Sequence, residues 1–212
     1  GTAKSLDAPL YSLLFPEVSI VPKTSCRDVE HAVRGLRGAA SMHWISAWGI
    51  VDNDQRSPQD IARLLEAGVW ALPHYSVESL YYHPRIIERL AQKQAALIGS
   101  DPAGLVDSAL AEAISAAEMQ RDHLVTSAVT RSARRKVQAN LPTRDMITQN
   151  AVLTVQIDIN SLRSDEAARF DALVAANDWD GLLTRYPMRE STAFKRIVNA
   201  LKFADEATYR GA

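Results

Sequence analysis

The run from Trp44 to Val51 is the strongest apolar stretch in the chain, and it stops abruptly at Asp52-Asn53-Asp54. Such a run closed by acids predicts a central strand over 44–51. A second short run, Val69-Trp70-Ala71-Leu72-Pro73, follows a segment that opens with Ser57-Pro58-Gln59-Asp60 and closes at Gly68. Serine before proline is the chemistry of a helix start, and glycine that of a helix end. A third β-branched run, Val18 to Val21, is closed by Pro22, and helical spacing covers Ser5 to Phe15 and Arg27 to Leu36. Strands near 18–21, 44–51 and 69–72, separated by single helices, predict right-handed crossovers and one mainly parallel sheet with helices on both faces.

The second half reads differently. From Pro102 to about Val137 the apolar positions mark long amphipathic helix, broken at most once. Ser100 to Gln120 holds four acids and no base, whereas Arg121 to Arg144 holds six bases and one acid. Leu153, Val155, Ile157 and Ile159 alternate with polar residues, which predicts a strand over 151–159 that packs back on the sheet. Ser164 to Ala176 and Glu190 to Phe203 are helical by spacing, with a turn at Tyr186-Pro187. The expected division is an α/β domain over 1–99 and a mostly helical extension over 100–212.

Composition narrows the function classes. A chain of 212 residues with 47% hydrophobic and 23% charged residues has the makings of a buried core, so disorder is not expected. No apolar run approaches the roughly 20 residues of a membrane span. The formal charge is −1, so any nucleic-acid affinity rests on a local basic face. Cys26 is the single cysteine, which excludes an internal disulfide and a cysteine zinc site and suits a reducing cytoplasm. The start at Gly1 reads as a fragment or a processed end, with no export signal.

Ile50-Val51-Asp52-Asn53-Asp54-Gln55-Arg56 carries the chemistry. Ligands bind beyond the C-terminal ends of parallel strands, and residues two apart in an extended segment point the same way. Asp52 and Asp54 are therefore placed to converge on one ion, and carboxylates without nearby Cys or His suit Mg²⁺ or Mn²⁺. An Asx-rich turn capping the next helix explains the same residues equally well. Acids at an open strand end are expected to contribute little to packing. Arg131, Arg134, Arg135 and Lys136 fall within barely two helical turns and form a candidate phosphate-binding patch, or else a solvated helix end. His31, His43, His74, His83 and His123 show no paired metal spacing. Trp44, Trp48, Trp70 and Trp179 lie in apolar text and are expected in the core.

Gly1-Thr2-Ala3-Lys4-Ser5-Leu6-Asp7, Leu10-Tyr11, Leu14-Phe15-Pro16, Ile50 to Arg56 and Val77-Glu78-Ser79-Leu80 together resemble the TOPRIM-like domains paired with ABC-type ATPases in bacterial defence proteins. These are relatives of the overcoming-lysogenization-defect nucleases. The resemblance covers roughly residues 1–90, and Tyr186-Pro187-Met188-Arg189 looks like a tail element of the same group. It implies a TOPRIM-like sheet and a metal-dependent nuclease acting on DNA or RNA in anti-phage defence, with an ABC-type ATPase, fused or separate, as partner. Asp52 and Asp54 become metal ligands for Mg²⁺ or Mn²⁺. Asp7 and Glu78 become further catalytic acids, each alternatively a helix cap or a solvated helix start. Lys4 and Arg56 become phosphate-steadying groups. In the family a first strand ends in Glu-Gly, and here that Glu would precede Gly1, outside this sequence.

Two other classes fit the same residues. A TOPRIM-like module that binds nucleic acid or a partner without cutting needs no such Glu. A haloacid-dehalogenase phosphatase also uses strand-end Asp-x-Asp, but Arg56 stands where that family favours Thr or Val. The chain has no Gly-x-x-x-x-Gly-Lys-Ser/Thr text, so a P-loop must come from the partner.

Overall fold

The computed structural model describes residues 7–142, 144–148 and 152–212. Two compact units divide the chain between Tyr82 and His83. The helix next to the expected 99/100 boundary therefore belongs to the second unit.

In the first unit, α1 (Asp7–Leu14) is followed by α2 (Cys26–Gly38), a 3-10 turn at Ala40–Met42, β1 (Gly49–Val51), α3 (Pro58–Glu66), β2 (Val69–Ala71) and α4 (Val77–Tyr81). The Ser25 side chain caps α2 and Ser57 caps α3, with Pro58 at the first helical position as its sequence predicts. β1 and β2 pair in parallel, Gly49 opposite Val69 and Val51 opposite Ala71, and the ladder is continued by Leu72 N–H to the Val51 carbonyl at 2.9 Å.

This parallel pair joined through α3 is mixed α/β architecture in miniature. It departs from the expected sheet in five ways. Residues 18–21 form no strand, and only Gly49–Val51 of the 44–51 run is paired. A two-stranded sheet has no central strand, so β1 is an edge. Residues 152–158, despite their alternation, form no ladder, and Val152 is 93% exposed. Finally, Val33 of α2 and Leu64 of α3 cluster with Val51 and Val69, so within this unit both helices cover the same sheet face. Alternation records which side chains want burial, but a ladder needs a partner strand at about 4.8 Å, which no local pattern supplies.

Gly49 lets α2 approach closely. A Cβ there would meet Val29 Cγ1 at 2.6 Å and Val33 Cγ2 at 3.1 Å. The opposite face carries Ile50 and Trp70. Against expectation, Trp44, Trp48 and Trp70 are 94%, 57% and 46% exposed, and only Trp179 is buried. A three-residue strand pair buries one face under two helices and has too little area for large rings on the other.

The second unit is helical: α5 (Pro84–Ile98), α6 (Pro102–Met119), α7 (Arg121–Ala139), α8 (Arg144–Thr148), α9 (Ile159–Ala175), α10 (Trp179–Arg185), a 3-10 turn at Met188–Glu190, α11 (Ala193–Ala200) and α12 (Glu206–Gly211). The long helical text does break once, at Gln120 between α6 and α7. Small residues Ala109, Ala113, Ala116 and Ala117 line the buried face of α6, which packs against α5 and α11. Trp179 meets Phe194 edge-on at 6.5 Å, and Phe170 meets Tyr186 edge-on at 5.1 Å. No helix among the described residues is long and apolar enough to cross a membrane.

Candidate functional site

β1 delivers Asp52 to the C-terminal end of the parallel pair, and the chain then turns at once. Asp54 and Gln55 have φ of +48° and +61°, and the Arg56 N–H donates to the Asn53 carbonyl at 2.9 Å. Two successive positive φ values closed by that hydrogen bond form a type I′ turn. The acid pair therefore does not sit in extended backbone as the spacing argument assumed, and the alternation rule stops at Asn53. Asn53 holds the turn in place: its Nδ2 donates to the Leu72 carbonyl at 2.9 Å and its Oδ1 accepts from Arg56 N–H at 3.0 Å.

The segment entering α4 closes the corner. Val77 N–H donates to Asp52 Oδ1 at 3.0 Å, and Asp54 N–H donates to the Tyr75 carbonyl at 3.3 Å. Asp52 thus caps α4, and Glu78 lies in the first turn of that helix, one residue beyond the capped N–H. The structure brings the segments carrying Asp52, Asp54 and Glu78 to one corner of the first unit.

Arg56 also lies here. Its Nη1 is 3.8 Å from Glu30 Oε1, and its Nε donates to the Asp52 carbonyl at 3.4 Å. Cys26 is beside it: burial pushes the thiol above its ordinary range, the nearby Arg56 opposes this, and Asp54 and Asp52 add to it. A protonated thiol suits a packing role for Cys26 better than a nucleophilic one.

Glu30 and Asn53 were not singled out by sequence. Glu30 carried a signal nonetheless, since Cys26, Val29, Glu30 and Val33 share the i, i+3, i+4, i+7 stripe of α2 that faces the sheet. Asp7 is the first residue of α1. Lys4 lies outside the described residues.

The basic patch on α7 is divided. Arg131 Nη2 is 3.5 Å from Glu190 Oε1, so its charge is shared with the 3-10 turn. Arg134 lines a groove of about 350 Å³ between α7 and α9, with Val129, Ala133, Val137 and Ile159 beneath and Arg163 opposite. Arg135 is half-buried and Lys136 exposed. Helical geometry puts Arg131, Arg134 and Arg135 on one face, with Lys136 turned about 100° from Arg135.

No protein family, curated protein or solved structure matches this chain.

Proposed function

We propose that the chain is the TOPRIM-like nuclease module of an ATPase-coupled bacterial defence system, acting on DNA or RNA with Mg²⁺ or Mn²⁺. The observation that carries this reading is the corner where β1 ends: Asp52 and Asp54 leave the C-terminal end of a parallel strand pair, and Asp52 is hydrogen-bonded to the start of the helix that carries Glu78. That is the edge where open α/β architectures bind ligands.

The donor set fits the ion. All three side chains offer carboxylate oxygen, the ligand type of hard divalent cations. When bound, such an ion neutralises charge building on phosphate oxygens during hydrolysis. The chain's own contribution is to hold Asp52 and Asp54 at a pinned turn, with Glu78 on the helix whose first N–H Asp52 accepts. In the reaction a P–O bond forms to water oxygen, an ester P–O bond breaks, and the water proton ends on the leaving oxygen. The resemblance assigns the first-strand Glu to the same chemistry. Arg56, tied to Glu30 and the Asp52 carbonyl, orients the turn, and reaching a phosphate would require it to leave Glu30. Arg134 and Lys136 are the exposed members of the basic patch and the ones best placed to meet phosphates. The lone Cys26 fits a cytoplasmic setting.

A second reading has one observation in its favour. Because Asp52 Oδ1 already caps α4, the acid has a structural duty that needs no cation, and a non-catalytic TOPRIM-like binding module would keep it. The test is cleavage of labelled DNA and RNA by the chain supplied with a first-strand Glu and an ATPase partner, with metal titrated in. Metal-dependent cleavage lost in Asp52→Asn and Asp54→Asn supports the nuclease. Binding without cleavage by the wild type promotes the module.

A further inference from the structure

The sheet face left uncovered by α2 and α3 carries two stacked indoles. Trp48, immediately before β1, and Trp70, in β2, have ring centroids 5.4 Å apart and planes inclined by 26°. The Arg37 guanidinium lies over the Trp48 ring at 4.7 Å. It sits in space that Gly68 leaves open, since a Cβ there would meet Arg37 Nη1 at 1.9 Å. Trp44, four residues upstream, is 94% exposed. From His31 to Val51 the chain contains no acid, while Arg34 and Arg37 are both exposed on α2.

Rings of this size are normally buried because each can withdraw about 150–250 Å² from water. Here they stay in solvent, Trp48 and Trp70 already stacked, with a cation on one ring and no carboxylate in the His31–Val51 segment that presents Trp44 and Trp48. That combination matches what unpaired nucleic acid offers: a π-face from every base and a phosphate at every step. A duplex keeps its base faces stacked inside and offers the rings nothing.

We propose that Trp44, Trp48 and Trp70, with Arg34 and Arg37, form a stacking platform for single-stranded nucleic acid. The proposal deepens the nuclease reading and rests on it for the class of ligand. It names the substrate as an unpaired strand. Trp48 and Asp52 lie at the two ends of β1, about 13 Å apart at the rise of an extended chain, so one short single-stranded segment reaches from the rings to the acids. Charge decides against a protein partner as the occupant, because Arg34 and Arg37 call for a phosphate beside each apolar contact.

The test is a fluorescence titration of the full chain without divalent cation, using an oligothymidylate, an oligouridylate and a blunt DNA duplex. Trp179 is buried, so its emission provides a constant background. Stacking should quench the exposed indoles, and one or both single strands should bind at least about tenfold more tightly than the duplex. Trp44→Ala, Trp48→Ala and Trp70→Ala should each weaken binding roughly tenfold, with Trp48→Phe restoring most of it. Arg34→Glu and Arg37→Glu should each flatten the salt dependence by about 0.7 of a slope unit. Trp44 is so exposed that its removal cannot unfold the unit, which keeps that variant decisive.

No binding by the wild type, equal affinity for the duplex, or unchanged affinity in the tryptophan variants would overturn the platform. So would self-association in sedimentation that Trp44→Ala abolishes, which would make the face an interface between copies. Because no cation is present, failure of cleavage would sink the nuclease while leaving single-strand binding intact. Loss of the platform would leave cleavage to be judged in its own assay.

Discussion

Asp52 Oδ1 accepts the Val77 N–H at 3.0 Å across 25 residues of sequence, joining the end of β1 to the first residue of α4. A carboxylate proposed as a metal ligand is thereby also a helix cap. Asp52→Ala should therefore destabilise the first unit by about 1–2 kcal/mol, whereas Asp52→Asn, which keeps a carbonyl oxygen in reach, should cost less than half as much. This amends the expectation that acids at a strand end matter little to stability. Thermal melts of the two variants beside the wild type check it, and equal melting temperatures for Ala and Asn would remove the cap from the account.

Gly49 is the contact point of α2 on β1. Gly49→Ala should cost about 1–3 kcal/mol, because its Cβ would overlap Val29 Cγ1 and must push α2 outward. Pairing it with Val29→Ala should recover part of the loss, and denaturant midpoints of the single and double variants measure that coupling. Strict additivity would mean that the helix moves for another reason.

Lys202 has φ of +63° just past α11, where Phe203 N–H donates back to the Val198 carbonyl at 3.1 Å. This is the left-handed position that glycine occupies without strain. Lys202→Gly should stabilise the second unit by about 1 kcal/mol, seen as a higher midpoint with an unchanged denaturant slope.

Glu166 is buried and receives Arg185 Nε at 2.9 Å and Nη2 at 2.5 Å. Burial pushes its carboxyl up, but the Arg185 hydrogen bonds and charge bring it below the ordinary glutamate value of 4.5. A folded value below the unfolded one means that the contribution is complete above the ordinary value and is lost as the pH falls through it towards the folded value. Glu166→Gln should thus lose about 2 kcal/mol near neutral pH, less than a fully buried pair because Arg185 stays partly exposed. The gap between wild type and variant should shrink in acid. A gap independent of pH would assign the effect to packing.

Local chemistry made the helices legible. Ser57-Pro58 starts α3 and Gly68 lies just beyond its end, and the break in the long helical text falls at Gln120, because a cap and the turn it serves lie within about four residues of one another. The strand end at Val51 and the acids after it were readable for the same reason. The type I′ geometry was not, since neither Asp54 nor Gln55 is the glycine that would have announced it.

Partners distant in sequence were settled only in three dimensions. Residues 18–21 and 152–158 have strand composition but no ladder, and Trp44, Trp48 and Trp70 have core composition but stand in solvent. Apolar text states that a side chain gains by burial, but whether it is buried depends on how much sheet is available to cover it. The joining of the segments that carry Asp52, Asp54 and Glu78 is likewise tertiary: hydrogen bonds from Val77 N–H to Asp52 and from Asp54 N–H to Tyr75 link stretches about twenty residues apart. The sequence by itself determined which residues carry carboxylate oxygen and where the capped helix α3 starts, whereas α9 begins at Ile159, inside the stretch whose alternation predicted a strand. The tertiary structure decided which segments meet, because a hydrogen bond requires about 3 Å in space and sets no limit on separation along the chain.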